Sequence, residues 1–384
     1  MRSDSPSAPC RGGVVALCLA ALAAAAIGCA TPVSDDGGPI FYPLPPQRPR
    51  VQYLTRYVGA TDLEGRPSAL MRFLVGDVTS ERKMRKPASV AAHDGVIYVA
   101  DPGWETVLVL NLREGYFDGL KDRGEGKLQV PVAITIDEQG NKFVADTGRN
   151  QVVQFNPQNE FVRGYGNPAT LIPSGVAVDK QHLYITDRRE HQVLVLDRRT
   201  KKQLRVIGEF GPREGQFNIP TSLSVDERGH LFVTDVGNFR IQEFDADGNH
   251  VKTFGFLGDG PGTLARPKGT AVDREHHLFT VDAAFENVQI WDVSNAQVLL
   301  AFGGTGIGPG GMYLPASVHV NYEIAPYFEK YVAPGFTLEY VIFVANNYGP
   351  NRLAVYGFVT PTDPNRYEEF EPEENDESFD QGKE

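Results

Sequence analysis

The chain has 384 residues, enough for one large all-β domain or two ordinary ones, and its 40 Gly and 27 Pro favour many turns. Its 37 basic and 49 acidic residues give a formal charge of -12. A groove that tracks phosphates along a strand needs clustered Lys and Arg, so no nucleic-acid partner is expected.

Arg2 and Arg11 precede the apolar run "VVALCLAALAAAAIG", too short and Ala-rich to span a bilayer comfortably. A basic start and such a run predict an export signal over residues 1–28. The run stops at "AIGCATP", where small residues lead into Cys29. This junction resembles a bacterial lipoprotein signal, in which cleavage precedes the Cys and the thiol is lipidated. Ala26 stands where that signal usually has Leu, and an ordinary signal peptide cut nearby is the alternative. The three cysteines are Cys10, Cys18 and Cys29. After cleavage only Cys29 would remain, which excludes a disulfide, a thiolate metal site or a Cys nucleophile in the folded body. Residues 29–50 are rich in Pro and Gly and predict a tether. Acyl chains on Cys29 would hold the domain on a membrane, each buried CH₂ contributing ~0.8 kcal/mol. The implied location is the bacterial cell envelope, with the outer membrane as the expected anchor.

From residue 51 onward one phrase recurs six times. It opens with Pro and a short apolar stretch: "PASVAAH" at 87, "PVAITID" at 131, "PSGVAVD" at 173, "PTSLSVD" at 220, "PKGTAVD" at 267 and "PASVHVN" at 315. An apolar strand follows, ending at Asp101, Asp146, Asp187, Asp235, Asp282 and Asn346 in turn. A third strand comes next, such as "QVVQF" or "QVLVLD", then an outer strand such as "HVKTFGFLG" and a Gly-rich return. Successive Pro positions lie 42 to 48 residues apart, the length of one four-stranded propeller blade.

This pattern resembles the NHL-repeat family of β-propellers over about residues 51–360, most specifically in "DTGRNQVVQF" and "DVGNFRIQEFDADG". The expected fold is all-β, a single six-bladed NHL-type propeller. The strand-ending acids read as scaffold, because such an Asp accepts amides of the following turn and one active site would not occur six times. "VQYLTRYVG" at 51–59 matches the outer-strand phrase, and blade six runs out after its third strand at Phe358. Residues 51–57 are therefore expected to complete blade six beside Arg352 to Tyr356, with "RPSALMRFLVGD" as the return, closing the ring and removing two open edges. The acidic segment 361–384 has few apolar residues to bury and predicts a solvated, disordered tail.

Three motifs reduce to turns. "GGTGIGPGG" at 303–311 looks like a phosphate cradle but lacks the Lys-Ser/Thr of a P-loop and sits where the other blades have their Gly-rich return. "DADGNH" at 245 begins like a calcium loop, yet Phe256 stands where a bidentate Glu is needed. His276 and His277 fall in a surface turn without ligands spaced nearby.

Two features break the repeat. Four residues after each Pro stand Ala91, Thr135, Ala177, Ser224, Ala271 and then His319; the single imidazole in a column of small residues is either a satisfied core group or a metal ligand in the channel. His93 similarly breaks the Asp column at the ends of the inner strands. Related propellers include a zinc-dependent peptide-amidating lyase and calcium-dependent lactonases, but neither ligand set carries over residue by residue. The second feature is the blade-six insertion 322–340, with Tyr322, Tyr327, Phe328, Tyr331, Phe336 and Tyr340. Aromatics are favoured at interface cores, so this loop is expected to contact a partner protein, or else to plug one end of the channel.

No catalytic residue and no cofactor is expected. The functional expectation is a membrane-tethered binding platform for protein partners. Resemblance to NHL lipoproteins that accompany multihaem cytochromes in surface electron transfer implies such a cytochrome as a partner, although the chain has no Cys-x-x-Cys-His of its own. The alternative is a lyase or hydrolase with a channel metal, led by His319.

Overall fold

Each repeat folds into an antiparallel meander, and the inner strands of six meanders stand around one axis. A computed structural model describes residues 38–65, 82–363 and 365–367. The inner strands are Ser89–His93, Pro131–Ile136, Pro173–Val178, Pro220–Val225, Pro267–Val272 and Pro315–Asn321. Each packs beside the next, and the sixth beside the first. Five blades have four strands and the sixth has five. Among the described residues no helix is long and apolar enough to cross a membrane.

The reason the middle strands read as nearly continuous apolar runs is that every blade is sandwiched between two others. Strand Val96–Asp101 of blade one is buried at all six positions. Its alternate side chains enter different cores: Ile97 and Val99 pack with blade six, while Val96, Tyr98 and Ala100 pack with blade two. Alternation by two along a strand thus serves two interfaces. Six such clusters alternate with the blades around the ring.

Closure follows the sequence expectation. Val51–Tyr57 pairs antiparallel with Leu353–Pro361, Val51 opposite Phe358 and Tyr57 opposite Leu353. The boundaries are corrected at both ends. Phe41–Tyr42 adds a fifth strand against Val51 and Gln52, and Phe41 is buried, so the ordered blade begins inside the segment expected as a tether. At the other end Tyr367 is buried and its ring lies 6.4 Å from that of Phe336, beyond the expected boundary at 360. The export signal, Cys29, most of the acidic segment and the return "RPSALMRFLVGD" lie outside the described residues.

In blades two to six the ladder slips just after the opening Pro: Pro131 pairs with Asp146 and the next pair is Ala133–Ala145, and the same occurs after Pro173, Pro220, Pro267 and Pro315. Proline cannot donate to the ladder, and a bulge beside it releases one residue from pairing and re-aims its side chain. The released residues are Val132, Ser174, Thr221, Lys268 and Ala316, with Gly269 also unpaired in blade five.

Candidate functional site

At the end of the channel where the Pro residues stand, those released residues line a cavity of about 220 Å³. Ser89, Ser174, Thr221, Ser222 and Ser317 contribute hydroxyls, Asn347 an amide, and Lys268 and Arg266 positive charge. The Oγ atoms of Thr221 and Ser317 are buried without a hydrogen-bond partner.

The strand-ending acids build the floor of this face, as architecture. Asp282 accepts the amides of Ala265 (2.8 Å) and Arg266 (2.9 Å) through Oδ2, and those of Ala284 (2.8 Å) and Phe285 (3.1 Å) through Oδ1. Asp101 and Asp146 repeat the arrangement with Arg85, Lys86 and Gly103, and with Gln129, Val130, Gly148 and Arg149. The expected bonds to the following turn are present. A second set, to the return that precedes the opening Pro, was not legible in the repeat.

The return loops share a device. Gly208 has φ +83 and a Cβ there would lie 2.3 Å from the Phe217 ring; Gly303 has φ +90 and a Cβ would lie 2.5 Å from Met312 Cε. Each loop thus turns on a glycine and buries an anchor five or more residues later, Phe217, Leu264 or Met312, all fully buried. "GGTGIGPGG" is one of these returns. The same loops present apolar side chains outward: Phe210 is 66% exposed, Phe256 66%, Leu257 61% and Ile307 75%. Ile219 and Leu314, just before the Pro of blades four and six, sit at φ +60 and +49, a left-handed conformation that costs a branched residue about 1–2 kcal/mol.

His319 lies toward the opposite end of the channel. Its Nε2 accepts the amide of Ala92 at 3.2 Å, and its ring stacks on Phe343, centroids 6.4 Å apart. The ring keeps partial contact with the channel, but protein surrounds it at longer range, and that desolvation lowers the imidazole to about 4. Its Nε2 lone pair is occupied, and the other residues of its column, Ala91, Thr135, Ala177, Ser224 and Ala271, offer at most a hydroxyl. This donor set does not fit a channel-bound zinc. His93 faces Glu323 at 3.5 Å. Asp273, Glu275 and His277 form the one three-residue group of His and carboxylate ligand atoms close enough for a metal among the described residues. Asp273 is already spent there: it accepts Glu275 N (2.9 Å), His277 N (2.7 Å) and Tyr340 Oη (2.8 Å) and pairs with His277 Nδ1 (2.8 Å). Equivalent turn acids Asp137 and Asp226 accept the same pair of amides, so the group is a hairpin turn.

The insertion divides. Its loop ends at Gly335, and Phe336–Asn346 is the second strand of blade six, extended to eleven residues. Phe328 (0% exposed) enters the core between blades six and one, and Tyr340 (1%) the core between blades five and six. These two are corrected from contact residues to packing residues. Tyr322, Tyr327, Tyr331 and Phe336 stay half-buried. Gln52 of the closing strand pins the loop, donating to Tyr331 O (2.9 Å) and accepting from Ala333 N (3.0 Å).

The NHL repeat family model matches residues 217–244, from the buried anchor of blade four to the end of its third strand. The chain folds as a six-bladed β-propeller that carries an NHL repeat in blade four. The propeller is 31% identical over 117 residues to a probable peptidyl-alpha-hydroxyglycine alpha-amidating lyase of Caenorhabditis elegans, covering 29% of this chain and 33% of that one. It is 32% identical over 150 residues to peptidyl-glycine alpha-amidating monooxygenase A of Xenopus laevis, covering 35% and 16%. The propeller thus spans a third or less of these relatives. A solved Bacteroides thetaiotaomicron protein of unknown function shares the fold, with a TM-score of 0.53, 14% identity and coverage of 73% and 71%.

Sequence reasoning missed the Pro-end mouth. The signal was available: one place after each Pro the column reads Ala88, Val132, Ser174, Thr221, Lys268, Ala316, one cation among small residues, as His319 stands in the column three places on.

Proposed function

We propose that this NHL propeller is a rigid protein-binding platform at the bacterial cell envelope, tethered through Cys29, with its contact face at the Pro end. The observation that carries the reading is the row of outward apolar side chains, Phe210, Phe256, Leu257 and Ile307, on the successive returns that lead into blades four, five and six. The loops that hold them are anchored by buried neighbours, so these side chains are held in water by a rigid frame. Large apolar side chains held exposed at one end of three successive blades support an interaction face there. The half-buried Tyr322, Tyr327, Tyr331 and Phe336 offer a smaller contact zone at the opposite end. A multihaem cytochrome as partner is the finer form of the proposal, supported by the resemblance to tethered NHL lipoproteins.

The test is affinity capture from envelope extracts with wild type and with Phe210→Ser, Phe256→Ser and Ile307→Ser combined. Loss of a specific partner with an unchanged melting temperature is expected; undiminished capture refutes the assigned face. Mass spectrometry of the mature amino terminus is expected to show acylated Cys29, and an unmodified chain starting beyond it refutes the tether. The segmental similarity to amidating lyases gives the competing reading of a channel metalloenzyme, which the donor set around His319 does not support. Retention of a stoichiometric metal that His319→Ala abolishes would reverse that judgement.

A further inference from the structure

The Pro-end cavity concentrates positive charge in an acidic protein. Lys268 is released from the ladder by the bulge after Pro267 and lines the cavity half-buried, while Arg266 lines its edge. Arg188, directly after the strand-ending Asp187, is exposed at the same end of blade three, its amide bonded to Ile172 O just before the opening Pro. Among the described residues none of these three side chains forms a hydrogen bond or ion pair, and no carboxylate lines the cavity. By contrast Arg240 is matched with Asp235, and the half-buried Lys142 with the carbonyls of Asn156 and Pro157.

Placing an uncompensated ammonium beside a guanidinium group destabilises the fold, through desolvation and through repulsion. A Thr or Ser at that position, as in blades three and four, would avoid both costs. Serine and threonine side chains around the mouth, Ser89, Ser174, Thr221, Ser222 and Ser317, make the rest of its lining partly polar. Charge, donors and space are complementary to one kind of ligand. Two positive charges in the lining favour a doubly charged anion over a monocarboxylate, and a guanidinium beside an ammonium suits an acceptor with oxygens on more than two sides. A volume of about 220 Å³ is the liquid share of about seven waters, room for a phosphoryl group and a small group bearing it.

We propose that the Pro-end mouth of the channel binds a tetrahedral oxyanion of the phosphate class, held by Lys268 and Arg266 with Arg188 on the same face of the ring.

Calorimetric titration of the full chain with inorganic phosphate tests this, with acetate and chloride as monovalent controls. Phosphate is expected to bind with a dissociation constant of about 1 mM or tighter, and to raise the melting temperature with concentration. Lys268→Met is expected to weaken binding roughly tenfold or more, while melting at the same temperature or higher because an unpaired charge has gone. The double change Arg188→Gln and Arg266→Gln, at exposed positions, is expected to weaken binding without affecting folding and so reports independently. Glycerol 2-phosphate separates the sources: binding equal to or tighter than the free ion identifies a monoester ligand, and binding of the free ion alone identifies phosphate itself. Absence of phosphate binding, affinity no better than acetate, or unchanged affinity in both variants overturns the proposal.

Discussion

The amide of Ala92, on the inner strand of blade one, donates to Nε2 of His319 on the inner strand of blade six, 3.2 Å away. An imidazole that accepts at Nε2 is neutral and carries its proton on Nδ1. Burial reinforces this, holding the group at about 4 against an ordinary 6.5. Above pH 6.5 both folded and unfolded chains are neutral at His319, so the group is indifferent. As pH falls from 6.5 towards 4 the unfolded chain takes a proton that the native state refuses, and stability drops by up to about 3 kcal/mol. His277 works in the opposite sense: its bond to Asp273 raises its pKa, so its contribution is present at acidic pH and is lost as pH rises through the raised value. Denaturation midpoints of wild type and His319→Gln at pH 7.5 and 4.5 isolate the first effect. The variant is expected to lose less stability on acidification; an unchanged difference contradicts the assignment.

Gln52 makes ring closure specific. It is buried, donating to Tyr331 O and accepting from Ala333 N. Gln52→Ala leaves a buried carbonyl and amide unpaired, at a cost of about 2–3 kcal/mol. Urea denaturation is the measurement, and a loss below 1 kcal/mol would show that water replaces the side chain.

Phe328 separates packing from contact in the insertion. Its ring meets Tyr57 at 6.4 Å and Phe343 at 5.8 Å between centroids, both near edge-on. Phe328→Ala should destabilise by about 3–5 kcal/mol, and the triple change of Tyr327, Phe328 and Tyr331 to Ala by at least as much. A triple variant with wild-type melting would place the loop outside the core.

Asp282→Asn tests the scaffold role of the repeated acid. Four amides point at its two oxygens, and an amide NH₂ would confront two of them with another donor. The expected loss is about 2–4 kcal/mol, because both charge-assisted bonds and acceptor capacity go. A neutral result by thermal denaturation would mean the turn rearranges freely.

The repeat period, the six blades and the closing strand were all legible in the sequence, because blade stacking imposes the same local pattern six times. Each Pro opens an inner strand, each strand-end acid ties two loops, and "VQYLTRY" at 51–57 carries the outer-strand pattern wherever it lies in the chain. His319 was visible for the same reason, as a misfit in an aligned column. The aromatics of the insertion show the limit. Phe328 and Tyr331 are alike in composition and three residues apart, yet one is fully buried and the other half-exposed. That difference is set by Tyr57, Phe343 and Gln52, which come from strands far away in the chain. The mouth depends on tertiary structure still more. Lys268 stands out in its aligned column, but only the ring brings the residues after the Pro of several blades together around one cavity. Periodicity records what every blade must do to be buried; where unlike charges and unlike side chains meet is decided by closure of the ring.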